Sequence, residues 1–258
     1  MSFTAENPPR VIALIPARAG SKRIANKNVR LLAGHPLLAY TICAAREAGV
    51  FDRVIVSTDS ADIAAIARHY GADVPFLRSA EYAADKSPDI EWLAHLLGKL
   101  REAGELPDAF ALLRPTSPFR QPATIRRAWR TFLDAGEVDS LRAIEKCRQH
   151  PGKMWRVAGN RMTPLMQKPE GEGGAPWHST PYQALPPVYI QNASLEIAWT
   201  SVVLDKGSIA GEVLTPFITE GHEGFDLNDP YDWIVAEHLA NSGDAKLPAV
   251  DVKPYVIG

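Results

Sequence analysis

Between Arg18 and Asn28 the chain reads Arg-Ala-Gly-Ser-Lys-Arg-Ile-Ala-Asn-Lys-Asn, placing the cations Arg18, Lys22, Arg23 and Lys27 around Gly20 and Ser21. Guanidinium and ammonium groups neutralise phosphate charge, and a glycine lets backbone N–H groups approach an anion closely. The spacing is neither Gly-x-x-x-x-Gly-Lys-Ser/Thr nor Gly-x-Gly-x-x-Gly, so the common NTPase and dinucleotide loops do not fit. A phosphate site and a solvated basic loop both remain open; a position after a first parallel strand, where α/β sheets bind ligands, favours the phosphate site. Ser57-Thr-Asp59 follows a second apolar run, and Asp59 reads more readily as a helix cap than as a ligand contact. Arg114-Pro-Thr-Ser-Pro-Phe-Arg120 is stiffened by two prolines and offers two hydroxyls and two guanidiniums; the alternative is a capping turn. In Asp226-Leu-Asn228 the two polar residues alternate, so an extended segment turns both to one side. Oxygen ligands of this kind suit Mg²⁺, which takes one or two carboxylates and completes its shell with phosphates and water. Asp229 is the better cap for a helix starting at Pro230, which leaves Asp226 available.

Other chemistry has no residues to carry it. The seven histidines show neither His-Glu-x-x-His nor another metal spacing, and no Gly-x-Ser-x-Gly elbow occurs. The six tryptophans read as core or interface.

These loops need a scaffold. Residues 11–15, 53–57, 74–77, 109–113 and 140–146 are apolar or β-branched runs of the kind buried on both faces of a parallel sheet. Between them, amphipathic windows over 36–49, 60–70, 88–103 and 122–135 read as helices, with Pro early, Ser60 as a cap, and Gly49, Gly71, Gly104 and Gly136 as stops. Strand–helix alternation predicts a Rossmann-like α/β fold: a mostly parallel sheet with helices on both faces. The rhythm breaks after Cys147. Residues 168–187 are rich in Gly and Pro, which predicts an insertion that projects and meets a partner. The division expected is a disordered leader over 1–10, a nucleotide-binding domain over 11–146 and 188–258, and a dimerisation insertion over 147–187. A strand through Ile197 and a last helix over 230–241 complete the domain.

Composition bounds the class. The chain has 258 residues, 46% of them apolar, with 28 basic against 30 acidic side chains and a net charge of −2. That balance argues against nucleic-acid binding, which favours a strongly basic face. Two cysteines about a hundred positions apart exclude a disulfide framework or a Cys-x-x-Cys site, and suit a reducing compartment. No apolar run approaches the roughly 18 residues that span a bilayer, and residues 1–10 lack a signal-peptide pattern. The expectation is a cytoplasmic protein with no membrane partner.

Taken together, Ile15-Pro-Ala-Arg-Ala-Gly-Ser-Lys22 with Lys27-Asn28, Val56-Ser-Thr-Asp59, Arg114-Pro-Thr-Ser-Pro-Phe-Arg120 and Asp226-Leu-Asn228 resemble the acylneuraminate cytidylyltransferase family, over about residues 10–241. The resemblance implies a nucleotide-diphospho-sugar transferase type of α/β domain, a homodimer, and transfer of CMP from CTP to an acidic 2-keto-3-deoxy sugar with Mg²⁺. Carried over by motif, Arg18, Lys22, Lys27 and Asp226 would be catalytic. Ala17, Gly20, Ser21, Asn28, Arg78 and Ser87 would hold the nucleotide. Arg114, Thr116, Ser117, Lys153, Gln191 and Asn192 would hold the sugar acid, Lys153 that of the partner subunit. Asp226 and Asn228 would hold the metal.

Family members often carry Gln where Arg114 stands, Asp where Asn228 stands, and Asn-Gly-Ala-Ile-Tyr where this chain reads Asn192-Ala-Ser-Leu-Glu196. These changes cluster on the sugar side, where Arg114 is expected to clamp the sugar carboxylate. The expected substrate is an N-acylneuraminate-like nonulosonic acid, with legionaminate, pseudaminate or a 3-deoxy-octulosonate as alternatives. A non-catalytic sugar-nucleotide binder is a further alternative; a glycosyltransferase would need a mid-chain Asp-x-Asp that is missing.

Overall fold

The computed structural model describes residues 8–84 and 87–255. Residues 1–7 of the expected leader lie outside them. Arg10 is placed: its N–H donates to Asp108 Oδ2 at 2.8 Å and its guanidinium pairs with Asp52 at 3.1 Å.

The first half alternates as its patterning predicts. Strand β1 (Val11–Pro16) leads through the basic loop to a short ribbon, β2 (Leu31–Leu32) and β3 (His35–Pro36), and then to helix α1 (Leu37–Ala48). Gly49, at φ 67°, ends α1 in the left-handed conformation that glycine adopts without a Cβ penalty. Strand β4 (Arg53–Ser57) precedes α2 (Ala61–His69), whose cap is Ser60: its side chain accepts from the Ile63 N–H at 3.3 Å. Then come α3 (Asp89–Glu102), β5 (Ala109–Leu112), α4 (Pro122–Asp134) and β6 (Ser140–Lys146).

Residues 74–77 form no strand. Asp73 makes one parallel bridge to Ile55, and Pro75 then has no N–H to continue the ladder.

The second half holds β7 (Trp155–Ala158), β8 (Arg161–Pro164), β9 (Tyr189–Trp199), α5 (Thr200–Leu204), β10 (Leu214–Ile218) and α6 (Pro230–Ser242). The six-stranded sheet runs β10-β6-β9-β5-β1-β4. β1 pairs in parallel with β4 and β5, whereas β9 runs antiparallel to β5 in a register that sets Glu196 beside Leu112.

Alternation along β1 makes three layers. Val11, Ala13 and Ile15 pack in one cluster with α1, α2 and α4, while Ile12 and Leu14 pack with Trp92, Leu93, Leu96, Leu97 and Leu100 of α3. Each fully buried large apolar side chain contributes about 1.5–3 kcal/mol, so both clusters fix where β1 and β5 end. A third cluster, with Ile24, Leu32, Leu37, Phe119, Leu227 and Trp233, anchors α6 and the segment before it.

The chain divides into two compact units, residues 1–143 with 192–258, and residues 144–191. The second unit is not merely irregular. It contains the antiparallel β7–β8 hairpin, turning at Gly159-Asn160, and short helical turns at Pro151–Lys153, Trp177–Ser179 and Tyr182–Ala184. His150 knits it, accepting from the Gly152 N–H at 2.9 Å and lying 2.9 Å from the Pro186 carbonyl. Among the described residues no helix is long and apolar enough to cross a membrane.

Candidate active site

The basic loop leaves the carboxyl end of β1, and hydrogen bonds shape it. The Ala17 N–H donates to Ser57 O at 3.0 Å, extending the β1–β4 ladder. The next contact is Asp59, whose Oδ1 accepts from the Ala19 N–H at 2.7 Å. Asp59 is therefore not the helix cap expected of it; Ser60 takes that role and Asp59 holds the loop. Gly20 has φ 73°, and Asn26 adopts a left-handed φ of 51°, a turn conformation that asparagine tolerates better than most non-glycine residues. Asn28 is buried and donates from Nδ2 to Arg18 O at 3.1 Å, closing the loop on itself. Arg18 Nη1 donates to Ala83 O at 3.3 Å.

Lys27 brings the remote motifs together. Its Nζ donates to Leu227 O at 2.8 Å, and the Leu227 N–H donates to Thr116 O at 2.9 Å. One residue thus ties the basic loop, the 114–120 loop and the Asp226 segment. Burial lowers the Lys27 pKa, and Asp226 opposes that shift.

The result is a cleft of about 220 Å³ lined by Arg18, Ser21, Lys22, Arg23, Lys27 and Asn28 of the loop, and by Arg78, Asp89, Arg114 and Thr116. Arg78 is buried. It donates to Ser57 Oγ and Ser57 O, both at 3.0 Å, and stacks on the Trp92 ring at 4.5 Å. Burial pulls its pKa down to about 10, with Asp89 and Asp59 opposing.

Asp226 and Asn228 face one another: Asn228 Nδ2 donates to Asp226 Oδ2 at 2.7 Å. Asp226 Oδ1 is buried without a hydrogen-bond partner. A buried carboxylate oxygen left unpaired is costly and is the donor a hard cation would use. The residues therefore fit Mg²⁺, with the remaining ligands drawn from phosphate and water, since no group of three acidic, His or Cys side chains stands ready among the described residues. Asp229 and Asp232 form the capping box of α6, so Asp226 is not needed there.

On the sugar side the picture differs from the expected clamp. Arg114 is already committed, Nη1 to Asp89 at 2.7 Å and Nη2 to Glu196 at 3.0 Å, and Glu196 also pairs with Arg142. Burial would raise the Asp89 pKa, but Arg114, the Trp92 indole N–H and Arg78 outweigh it and hold the carboxyl below its usual range. Arg120 does not point from its loop. It is buried, donating to Thr41 Oγ1 at 2.9 Å, to Arg114 O and to Ser194 O. Ser117 is buried with its Oγ unpartnered, Ser87 donates to Glu81 O, and Asn192 donates to Thr219 Oγ1. Lys153, which donates to His178 O, and Gln191 belong to the second unit. Asp89 and Arg142 were not singled out by motif, and Glu196 stood only as the last residue of the Asn192–Glu196 departure, with no partner assigned. The available signal was a charge set between apolar strand residues, Arg142 between Leu141 and Ala143 in β6 and Glu196 between Leu195 and Ile197 in β9.

Comparison with known proteins gives concordant findings. A family model described as cytidylyltransferase matches residues 12–149. A CMP-N,N'-diacetyllegionaminic acid synthase from Legionella pneumophila subsp. pneumophila is 38% identical over 234 residues, covering 89% of this chain and 96% of that protein. An N-acylneuraminate cytidylyltransferase from Escherichia coli O18:K1:H7 is 46% identical over 123 residues, covering 48% of this chain and 28% of that protein. Among solved structures, CMP:2-keto-3-deoxy-manno-octonic acid synthetase complexed with CTP superposes with a TM-score of 0.65 at 12% identity, over 91% of this chain and 99% of that one.

Proposed function

The chain belongs to the acylneuraminate cytidylyltransferase family, and from that premise we propose that it activates an N-acylated nonulosonic acid with CTP, giving a CMP-sugar and pyrophosphate. The observation that carries this is the convergence, through Lys27 and Leu227, of the cation-lined cleft with the unpartnered Asp226 oxygen.

In the reaction the anomeric oxygen of the sugar acid forms a bond to the α-phosphorus of CTP, the bond to the β-phosphate oxygen breaks, and the hydroxyl proton is released. Such transfers ask the protein for positioning and charge neutralisation rather than covalent chemistry. Arg18, Lys22 and Lys27 hold the triphosphate and stabilise the departing pyrophosphate, while Gly20 and Ser21 let the backbone approach it. Ala17, Asn28, Arg78 and Ser87 form the nucleoside side; Thr116, Ser117 and Asn192 belong with Arg114 to the sugar side. Asp226, with Asn228 beside it, would hold Mg²⁺, which when bound screens phosphate charge and acidifies the attacking hydroxyl. A diacetylated legionaminate is the first sugar acid to test, because the similarity to that synthase spans nearly its whole length.

Pyrophosphate release is the test. With Mg²⁺ and a panel of sugar acids, CTP is expected to support turnover at least tenfold better than ATP, GTP or UTP. Equal or better turnover with ATP overturns the nucleotide assignment. CTP binding without release for any acid would make the chain a sugar-nucleotide binding protein instead.

A homodimer is part of the proposal. Met154, Trp155, Val157, Met162, Leu165 and Met166 are exposed on the second unit, and apolar patches of this kind mark interaction sites. Two-fold dimers are the commonest oligomers, and Lys153 would then serve the partner's sugar site. Light scattering at micromolar concentration should report twice the chain mass; a monomer counts against it. Both cysteines are free thiols, which suits the cytoplasmic location proposed with it.

A further inference from the structure

Two charged residues on the sugar side, from distant parts of the chain, meet in space. Arg114 and Glu196 lie 82 positions apart in the chain and 3.0 Å apart in the fold. The antiparallel register of β9 on β5 brings them there, since Glu196 sits opposite Leu112. Behind them Arg142 balances Glu196; in front, Asp89 takes the other Arg114 nitrogen. Two guanidiniums and two carboxylates make a chain of four charges that sum to zero. Glu196 and Arg142 are nearly fully buried, whereas Arg114 and Asp89 are each about 30% exposed and line the cleft.

That arrangement changes what Arg114 can bind. A lone guanidinium attracts a carboxylate. A guanidinium bracketed by two carboxylates offers no net positive charge, and a ligand carboxylate placed on it meets Asp89 as a like charge. Among the described residues lining the cleft Asp89 is the one carboxylate, against Arg18, Lys22, Arg23, Lys27, Arg78 and Arg114. The anionic parts of the ligands thus belong on the loop side. The Asp89–Arg114 edge keeps an acceptor and a donor side by side, because Asp89 oxygens and Arg114 N–H groups exceed the partners they have in number. A neutral polyol or acylamino chain, which donates at one group and accepts at the next, matches such an edge.

We propose that Asp89 and Arg114 are specificity residues that read the neutral, hydrogen-bonding substituents of the sugar acid rather than its carboxylate, with Glu196 and Arg142 as positioning residues behind them. The inference rests on the cytidylyltransferase reading above. Burying a countercharge for a positioning role is consistent with the steep penalty for removing one partner of such a pair.

The test is steady-state kinetics of Asp89→Ala across three ligands: the full sugar acid, an analogue whose side-chain hydroxyl or acylamino groups are removed, and the carboxamide of the full sugar. For the full acid, KM should rise about tenfold, the size of a lost charge-assisted hydrogen bond, while kcat and the KM for CTP stay within about twofold of wild type. The rise should persist with the carboxamide and vanish with the stripped analogue. Glu196→Gln, which keeps the shape of the strand, should raise the same KM without lowering kcat. A fall in KM for the full acid in Asp89→Ala overturns the proposal, because it would mean that Arg114 faces the carboxylate and Asp89 damps it. A rise confined to CTP overturns it in favour of a nucleoside contact beside Arg78. The parent reading fails separately: wild type would then release no pyrophosphate with any sugar acid.

Discussion

Asp226→Asn should lower turnover by on the order of a hundredfold or more and abolish its dependence on Mg²⁺, while leaving the melting temperature within a degree or two of wild type. The size follows from losing a charged group aimed at a site where phosphate charge must be screened, typically about 3 kcal/mol of transition-state stabilisation. The structure supplies the atomic reason. Oδ2 already accepts from Asn228 Nδ2. An asparagine at 226 would turn its own carbonyl oxygen to that donor and so point its NH₂ where the unpartnered Oδ1 now lies. A donor would face the cation. Stability should survive because Asp229 and Asp232, not Asp226, satisfy the N-terminus of α6. Rate against Mg²⁺ concentration, beside a thermal melt, settles it; a variant with wild-type rate and metal dependence removes the metal assignment.

The same substitution carries a pH signature. Burial lowers the Lys27 pKa and Asp226 pulls it back up. Without the carboxylate the ammonium loses its charge at lower pH, so the alkaline limb of the rate profile should move down. Asn228→Asp works the other way. It sets two carboxylates side by side, raises the affinity for Mg²⁺, and should make the melting temperature more metal-dependent.

Much of this site was legible in the sequence, for local reasons. Continuous apolar runs gave β1, β4 and β5 their places, and cap chemistry at Ser60 and Asp229 was read correctly from residue type and spacing. What was missed depends on long-range partners. Asp59 looked like a cap because its contact, the Ala19 N–H, is 40 positions away. Residues 74–77 have strand composition, but Pro75 limits them to one bridge at Asp73. The direction of β9 leaves no mark on its residues, yet that direction is what pairs Arg114 with Glu196. The β7–β8 hairpin did have a local signal, Gly159-Asn160 between alternating residues, obscured by the prolines that follow it.

Arg120→Met is expected to lower stability by about 2–4 kcal/mol and the melting temperature by roughly 5–15 °C, and to raise the KM for both substrates. In the sequence this arginine looked like a second ligand-facing guanidinium. In the fold it is 1% exposed. It donates to Thr41 on α1, to Ser194 on β9 and to the Arg114 carbonyl at the start of the Pro-rich loop. Burial draws its pKa down to about 9, so it is still charged at neutral pH. A charged donor serving three acceptors contributes more per bond than a neutral one; methionine fills similar volume but leaves those acceptors without it. Part of the loss is offset, because methionine carries no desolvated charge. The affected elements are those that set the angle of residues 114–116 against β9, hence the effect on binding as well as on folding. Arg120→Lys separates charge from geometry: one ammonium cannot span Thr41, Ser194 and Arg114 together, so its melting temperature should lie nearer that of Met than that of wild type. If lysine restores the wild-type melt, charge alone suffices and the three-way tie is not what orders the loop.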